Sequence, residues 1–195
     1  MTKHKGKRIF ITGIPASGKS YLANKTIKEI GGIHIALDDI REELTKNQTY
    51  AVWANFYFNQ DENIYYRRRD GGNKRWDDLV QQSEALWPAF LETIEKYKNE
   101  PSLVIFEGVN ILPHLAKQDL EFSGYVLLGE NFEEIFERNK ANPRWGNTEK
   151  LQKREAQEFF YEERPRYKAE ADKYGYQTFE DSEDAFREII KHLTD

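Results

Sequence analysis

Two glycines separated by four residues, with a lysine and a serine directly after the second, form Gly13-Ile14-Pro15-Ala16-Ser17-Gly18-Lys19-Ser20. This is the pattern G-x-x-x-x-G-K-[ST], and its parts suit a bound polyphosphate. Glycines let the backbone turn tightly around an anion. Successive amides then point at phosphate oxygens, and a helix starting at Lys19 adds the positive end of its dipole. Lys19 is expected to reach the β- and γ-phosphates, and the Ser20 hydroxyl to hold Mg²⁺. The residues expected around the nucleotide are therefore Gly13, Ile14, Pro15, Ala16, Ser17, Gly18, Lys19, Ser20 and Tyr21. The competing reading is a glycine-rich turn with no ligand. Average residue frequencies would produce the pattern by chance about one time in a hundred in a chain this long.

The elements around the loop give it the context that this chemistry needs. Lys7 to Thr12 is an apolar run that fits a buried parallel strand. From Lys19 to Ile30 the apolar residues Leu22, Ala23, Ile27 and Ile30 recur at helical spacing, and Gly31-Gly32 stop the helix. Ile33 to Leu37 reads as a second strand, ending at Asp38-Asp39, with a helix from Ile40. Asp77 to Lys98 is a helix that Pro88 should bend or split. Leu103 to Phe106 and Gly124 to Leu128 are the third and fourth strands. A helix over Phe132 to Lys140, a Pro/Gly loop over Ala141 to Asn147 and a long charged helix from Glu149 to Tyr174, interrupted or kinked near Pro165, follow. Tyr176 to Phe179 is a fifth strand and Asp184 to Leu193 a last helix. Strands alternating with helices over 195 residues imply one α/β domain, residues 1–195, with a mostly parallel sheet.

In such a sheet, ligands bind outside the carboxyl ends of the strands. That rule selects Asp38, Asp39, Arg41, Glu107 and Asn110. A carboxylate at Asp38 can face the γ-phosphate and accept the proton of an attacking hydroxyl. Asp39 is the better candidate for a helix cap. Arg41 can grip a substrate phosphate or carboxylate through two parallel hydrogen bonds. Glu107 closes the third strand, where it can orient a metal-bound water or contact the acceptor, with Gly108 keeping the approach open. Val109 to Leu115 is expected on the rim, with His114 an ordinary surface or helix-start residue. Arg138 and Arg144, ahead of Lys150, Lys153 and Arg154, surround the Pro143/Gly146 loop and can close over transferring phosphates as a lid, about 138–156. Glu133, Glu134, Glu137, Glu149 and Glu155 are interleaved with them, so some of these arginines serve as surface helix partners.

Composition narrows the classes further. A net charge of −5 gives no support to a protein gripping nucleic acid with its whole surface. The absence of cysteine excludes disulfides, thiolate zinc sites and cysteine nucleophiles. It fits a reducing compartment, and no apolar run approaches a membrane span or a signal-peptide core. The expected location is cytoplasmic.

GIPASGKS, DDIR, IFEG and the arginine-bearing lid resemble the P-loop kinases that phosphorylate small molecules or nucleic-acid ends. DDIR is similar to the D-D-x-R segment of the polynucleotide kinase and zeta-toxin-like group, which implies a base at Asp38 and an acceptor-side cation at Arg41. IFEGVNILP with the later charged helix, and WDDLVQQSEALWP between strands two and three, resemble 2-phosphoglycerate kinase-type proteins. The fold this resemblance implies has three layers: a five-stranded parallel sheet of order 2-3-1-4-5, flanked by helices, with a lid and an acceptor-binding segment. Glu107 stands where many P-loop proteins have Asp, and no N-K-x-D segment is present, so ATP with Mg²⁺ is the expected donor rather than GTP.

The acceptor segment is expected at about 47–98. Its first part holds eight aromatics, Arg67-Arg68-Arg69, Lys74 and Arg75, with a turn at Asp70-Gly71-Gly72-Asn73. It suits a hydroxylated, anionic small molecule, or a nucleotide or nucleic-acid end stacked on the aromatics. The bland reading is core aromatics and solvated arginines. Two functions stand at this point: an ATP-dependent kinase acting on an alcohol group, and a nucleotide-binding regulatory or interaction ATPase with no small-molecule acceptor.

Overall fold

Ile9, Phe10 and Ile11 are buried from both faces of a strand, Arg8–Gly13 (β1), as a central parallel strand requires. The computed structural model describes residues 7–56, 74–143 and 148–194. β1 pairs in parallel with Val104–Glu107 (β3) on one side and Ser123–Leu127 (β4) on the other. Ile33–Ala36 (β2) lies outside β3, and Gln177–Phe179 (β5) lies outside β4. The sheet is therefore parallel throughout with order β2-β3-β1-β4-β5, as expected.

Alternation along β1 sorts its side chains into two cores. Ile9 and Ile11 pack with Leu22 and Ala23 of Lys19–Ile30 (α1) and with Ala185, Ile189 and Leu193 of Ser182–Thr194 (α9). Phe10 joins the opposite core with Leu86 and Phe90 of Arg75–Lys96 (α4) and Tyr167 of Arg164–Tyr174 (α8). Helices on both faces of the sheet give the three layers. Phe10 also explains Gly124, its register partner on β4: a Cβ there would lie 2.0 Å from the Phe10 ring.

Several local expectations are corrected. β2 ends at Ala36 and Leu37–Leu44 (α2) begins at once, so Asp38 and Asp39 stand in the first turn of a helix rather than before it. The helix starts early because Leu37 is buried, packed against Gly108, where an added Cβ would come within 3.0 Å of it. Gly108 thus leaves room for Leu37 to pack against it. Ala36, not Asp39, is the N-cap, and no side chain caps this helix. Pro88 lies inside α4 without splitting it; buried Trp87, Ala89 and Phe90 hold that turn against the core, and packing overrides the local preference.

Residues 109–112 are core rather than rim, with Ile111 and Leu112 fully buried. They lead into a short helix, Pro113–Asp119 (α5), that the sequence reading missed although Pro113 is a good first helical residue. His114 sits in its first turn and contacts Glu170 of α8 at 3.0 Å. The long charged helix runs as Glu149–Gln157 (α7), a π-helical stretch Glu158–Glu163, and α8. Pro165 has no N–H for the preceding turn, and the widened stretch accommodates the break just ahead of it. No helix among the described residues is long and apolar enough to cross a membrane.

Candidate active site

All five strands point the same way, so Gly13, Ala36, Glu107, Leu127 and Phe179 end at one edge of the sheet. Residues 13–20 leave that edge from the centre. Gly13 has φ +126°, and a Cβ there would meet the Leu127 carbonyl oxygen at 1.9 Å; the Ile14 amide donates to the same oxygen at 3.1 Å. Ala16 and Gly18 also have positive φ, at 60° and 97°. These turns wind the chain into α1, whose N-cap, Gly18, offers no side chain. The first amides of a helix lack intrahelical partners, so this uncapped end is able to receive an anion.

Lys19 is buried, and its Nζ donates to the Ile14 carbonyl at 2.8 Å, spanning the loop. Ser17 Oγ donates to the same carbonyl at 2.8 Å, holding the turn closed at its base. Tyr21 is largely exposed, and its hydroxyl turns to Glu183 of α9 at 3.3 Å. Lys25 bonds the same carboxylate, which raises its pKa.

The Ser20 hydroxyl donates to Glu107 Oε2 at 2.9 Å. Register explains the meeting: Ile11 of β1 is opposite Glu107 of β3, so the acid emerges beside the start of the loop. Glu107 is buried. A hydroxyl and a carboxylate at hydrogen-bond distance are hard oxygen donors of the kind Mg²⁺ takes, alongside phosphate oxygens. His34 of β2 stands against them, with Nε2 3.7 Å from Glu107 Oε2. Sequence reasoning missed it; in Ile-His-Ile-Ala it reads as one more position of a short strand.

Asp38 and Arg41 share one face of α2, with Nη2 3.3 Å from Asp38 Oδ1. Arg41 is buried and the Asp38 side chain is partly exposed. Ala36 is opposite Glu107, so Asp38, two residues on, follows the strand next to the one that bears the acid. Asp39 is exposed.

Arg138, near the end of Phe132–Ala141 (α6), reaches over the loop. Its Nη1 donates to the Ala16 carbonyl at 3.4 Å and its Nη2 to Glu134 at 2.9 Å. Arg144 and Gly146 lie outside the described residues. The interleaved acids are not all surface partners. Glu155 is buried, accepting from Asn139 Nδ2 at 3.2 Å, and Glu158 and Glu163, further along the same helical run, are buried as well. Glu163 accepts from Arg75 Nε at 2.6 Å, and the Arg75 guanidinium lies over the Phe159 ring, tying the π-helical stretch to the start of α4.

Asn110 is buried rather than lining a cleft. Its Nδ2 donates to Gln82 Oε1 at 3.2 Å and to Ser83 Oγ at 2.9 Å, while Gln82 Nε2 donates to the carbonyls of Trp53 and Phe56. The end of β3 is thereby linked through α4 to Ala51–Ala54 (α3). Arg67, Arg68 and Arg69, their neighbouring aromatics and the turn at 70–73 lie outside the described residues.

No sequence-family model and no curated sequence matches this chain. Solved structures do. A shikimate kinase from Acinetobacter baumannii in complex with shikimate has a TM-score of 0.56 at 12% identity, over 97% of this chain and 94% of that one. A shikimate kinase from Bacteroides thetaiotaomicron has a TM-score of 0.54 at 16% identity, over 96% and 98%. A deoxyadenosine kinase from M. mycoides with dCMP and dCDP bound has a TM-score of 0.51 at 14% identity, over 95% and 98%. At these identities the likeness is one of fold, and the fold that this chain shares with them is that of the P-loop kinases.

Proposed function

We propose that the protein is an ATP-dependent phosphotransferase that moves the γ-phosphoryl group of ATP to a hydroxyl of a small, anionic acceptor. The observation that carries this reading is the Ser20–Glu107 hydrogen bond at the mouth of the Gly13–Ser20 loop. It joins the residue expected on Mg²⁺ to an acid from the neighbouring strand. Ser20, with Glu107 beside it, would hold Mg²⁺, which when bound neutralises phosphate charge. The loop amides and Lys19 bind the polyphosphate. Asp38 takes the proton of the acceptor hydroxyl as its oxygen attacks the γ-phosphorus; the bond to the β-phosphate oxygen breaks and ADP departs. Arg41 grips the anionic part of the acceptor, while Arg138 and Arg144 offset charge on the transferring group. The domain is read as 1–195, with the acceptor side drawn from about 47–98 and the lid from about 138–156.

The names of the structural neighbours agree with a small-molecule or nucleoside acceptor. The resemblance of DDIR and IFEG keeps 5′-hydroxyl oligonucleotides and phosphorylated metabolites within the same screen. The test is ATP consumption against hydroxylated metabolites, nucleosides and 5′-hydroxyl oligonucleotides, repeated with Asp38→Ala on the acceptor found. That variant is expected to lose transfer at least about 10²-fold, the usual contribution of a general base, while keeping ATP affinity. Unchanged turnover would remove Asp38 from the mechanism. Slow ATP hydrolysis that no acceptor stimulates would favour a regulatory ATPase.

A further inference from the structure

We infer that His34 is a positioning residue for the magnesium corner of this site: it holds the Glu107 carboxylate in place, and Asn24 sets the orientation of its ring. The inference rests on the proposed function, since it concerns the same corner. His34 is paired in register with Ile105, two residues before Glu107. Strand alternation turns His34 to the face that α1 covers. There its Nδ1 lies 3.1 Å from Asn24 Oδ1, and its Nε2, 3.7 Å from Glu107 Oε2, is buried without a hydrogen bond. Ser20 and Asn24 are four residues apart and share a face of α1. Ser20, Glu107, His34 and Asn24 thus gather at one corner formed by one helix and two strands.

The chemistry of this corner follows from the choice of acid. Glutamate has one more rotatable bond than the aspartate more usual at this position, so its carboxylate is harder to hold still. Ser20 contacts one of its oxygens and cannot fix the group alone. A buried ring nitrogen facing that oxygen supplies the second contact and gains the hydrogen bond it lacks. Proton placement permits this. When the exposed Asn24 amide turns its NH₂ toward Nδ1, the neutral ring carries its proton on Nε2, toward Glu107. Closing 3.7 Å to hydrogen-bond range takes a shift of well under 1 Å.

The experiment is calorimetry of ATP binding to the full chain, in EDTA and over a series of Mg²⁺ concentrations, with thermal unfolding as the check on folding. His34→Ala is expected to raise the Mg²⁺ concentration needed for half-maximal strengthening of ATP binding about 10–100-fold, the range found when a residue orienting a metal-site group is removed. ATP affinity in EDTA stays as in the wild type. His34→Gln, whose amide nitrogen can reach the position of Nε2, recovers most of the loss. A His34→Ala protein that responds to Mg²⁺ like the wild type would overturn the inference and leave the proposed function standing. So would an equal loss of ATP binding with and without Mg²⁺, which marks a packing role. A wild-type protein that binds ATP with no response to Mg²⁺ would instead overturn the magnesium corner, and this inference with it.

Discussion

Replacing Arg138 by alanine separates a catalytic role from a structural one. Arg138 makes two contacts in the folded chain. Its pair with Glu134, at 2.9 Å between side chains 46% and 42% exposed, is a surface i,i+4 pair and is worth about 0.3–0.5 kcal/mol. Its bond to the Ala16 carbonyl is long, at 3.4 Å, and adds about 0.5 kcal/mol at most. Losing both costs about 1 kcal/mol or less, a fall of about 2–4 °C in Tm for a chain of this size. The catalytic stake is far larger. A cation placed over the transferring phosphoryl group contributes at least about 10³-fold in rate, about 4 kcal/mol of transition-state stabilisation. The assay pairs a thermal melt with ATP turnover on the acceptor found by screening. Arg138→Ala is expected to melt within a few degrees of the wild type and to turn over about 10³-fold more slowly. Arg138→Lys keeps the charge without the planar fork and should recover only part of the rate. Turnover within about threefold of the wild type, with an unchanged melt, would reduce Arg138 to a surface partner of Glu134 and refute the reasoning.

Two further outcomes concern the scaffold. Arg75→Met, which leaves the buried Glu163 without its 2.6 Å partner, should cost about 3–5 kcal/mol in urea unfolding, against near-neutrality if the pair were solvated. Tyr125, buried in β4, has its hydroxyl pKa pushed up to about 12, chiefly by burial and further by Glu188. The folded state then keeps its proton longer than the unfolded chain, so this stability is complete below pH 10 and drains away toward pH 12. The loss should reach about 2–3 kcal/mol; urea midpoints at pH 9 and pH 11.5 should show it, and Tyr125→Phe should flatten the slope.

Much of the fold is legible in local spacing. The apolar runs mark the three central strands, β1, β3 and β4, to within a residue or so, because a strand buried on both faces must be apolar throughout, while the partly exposed edge strands β2 and β5 also lie within a residue of their expected bounds. α1 begins and ends where its lysine and glycines say it should. Errors gather where a tertiary contact outweighs a local signal. α2 starts three residues early because Leu37 is captured beneath Gly108, and α4 runs through Pro88 because its neighbours are locked in the core. The acids of the long helix look like a solvated face, yet Glu155, Glu158 and Glu163 are buried. Charge alone does not reveal a partner such as Arg75, 88 residues away from Glu163.

The site divides in the same way. The Gly13–Ser20 loop is a property of contiguous residues: its positive-φ glycines and the uncapped helix start at Lys19 follow from local sequence at set spacing, and sequence alone determined that shape. The grouping of Ser20 with Glu107 and His34 depends on which strands lie side by side, and β2 and β3 become neighbours only when the sheet assembles with a crossover between them. That adjacency sets distances between residues up to 87 positions apart, so only the tertiary structure could decide which strand-end residues meet the loop.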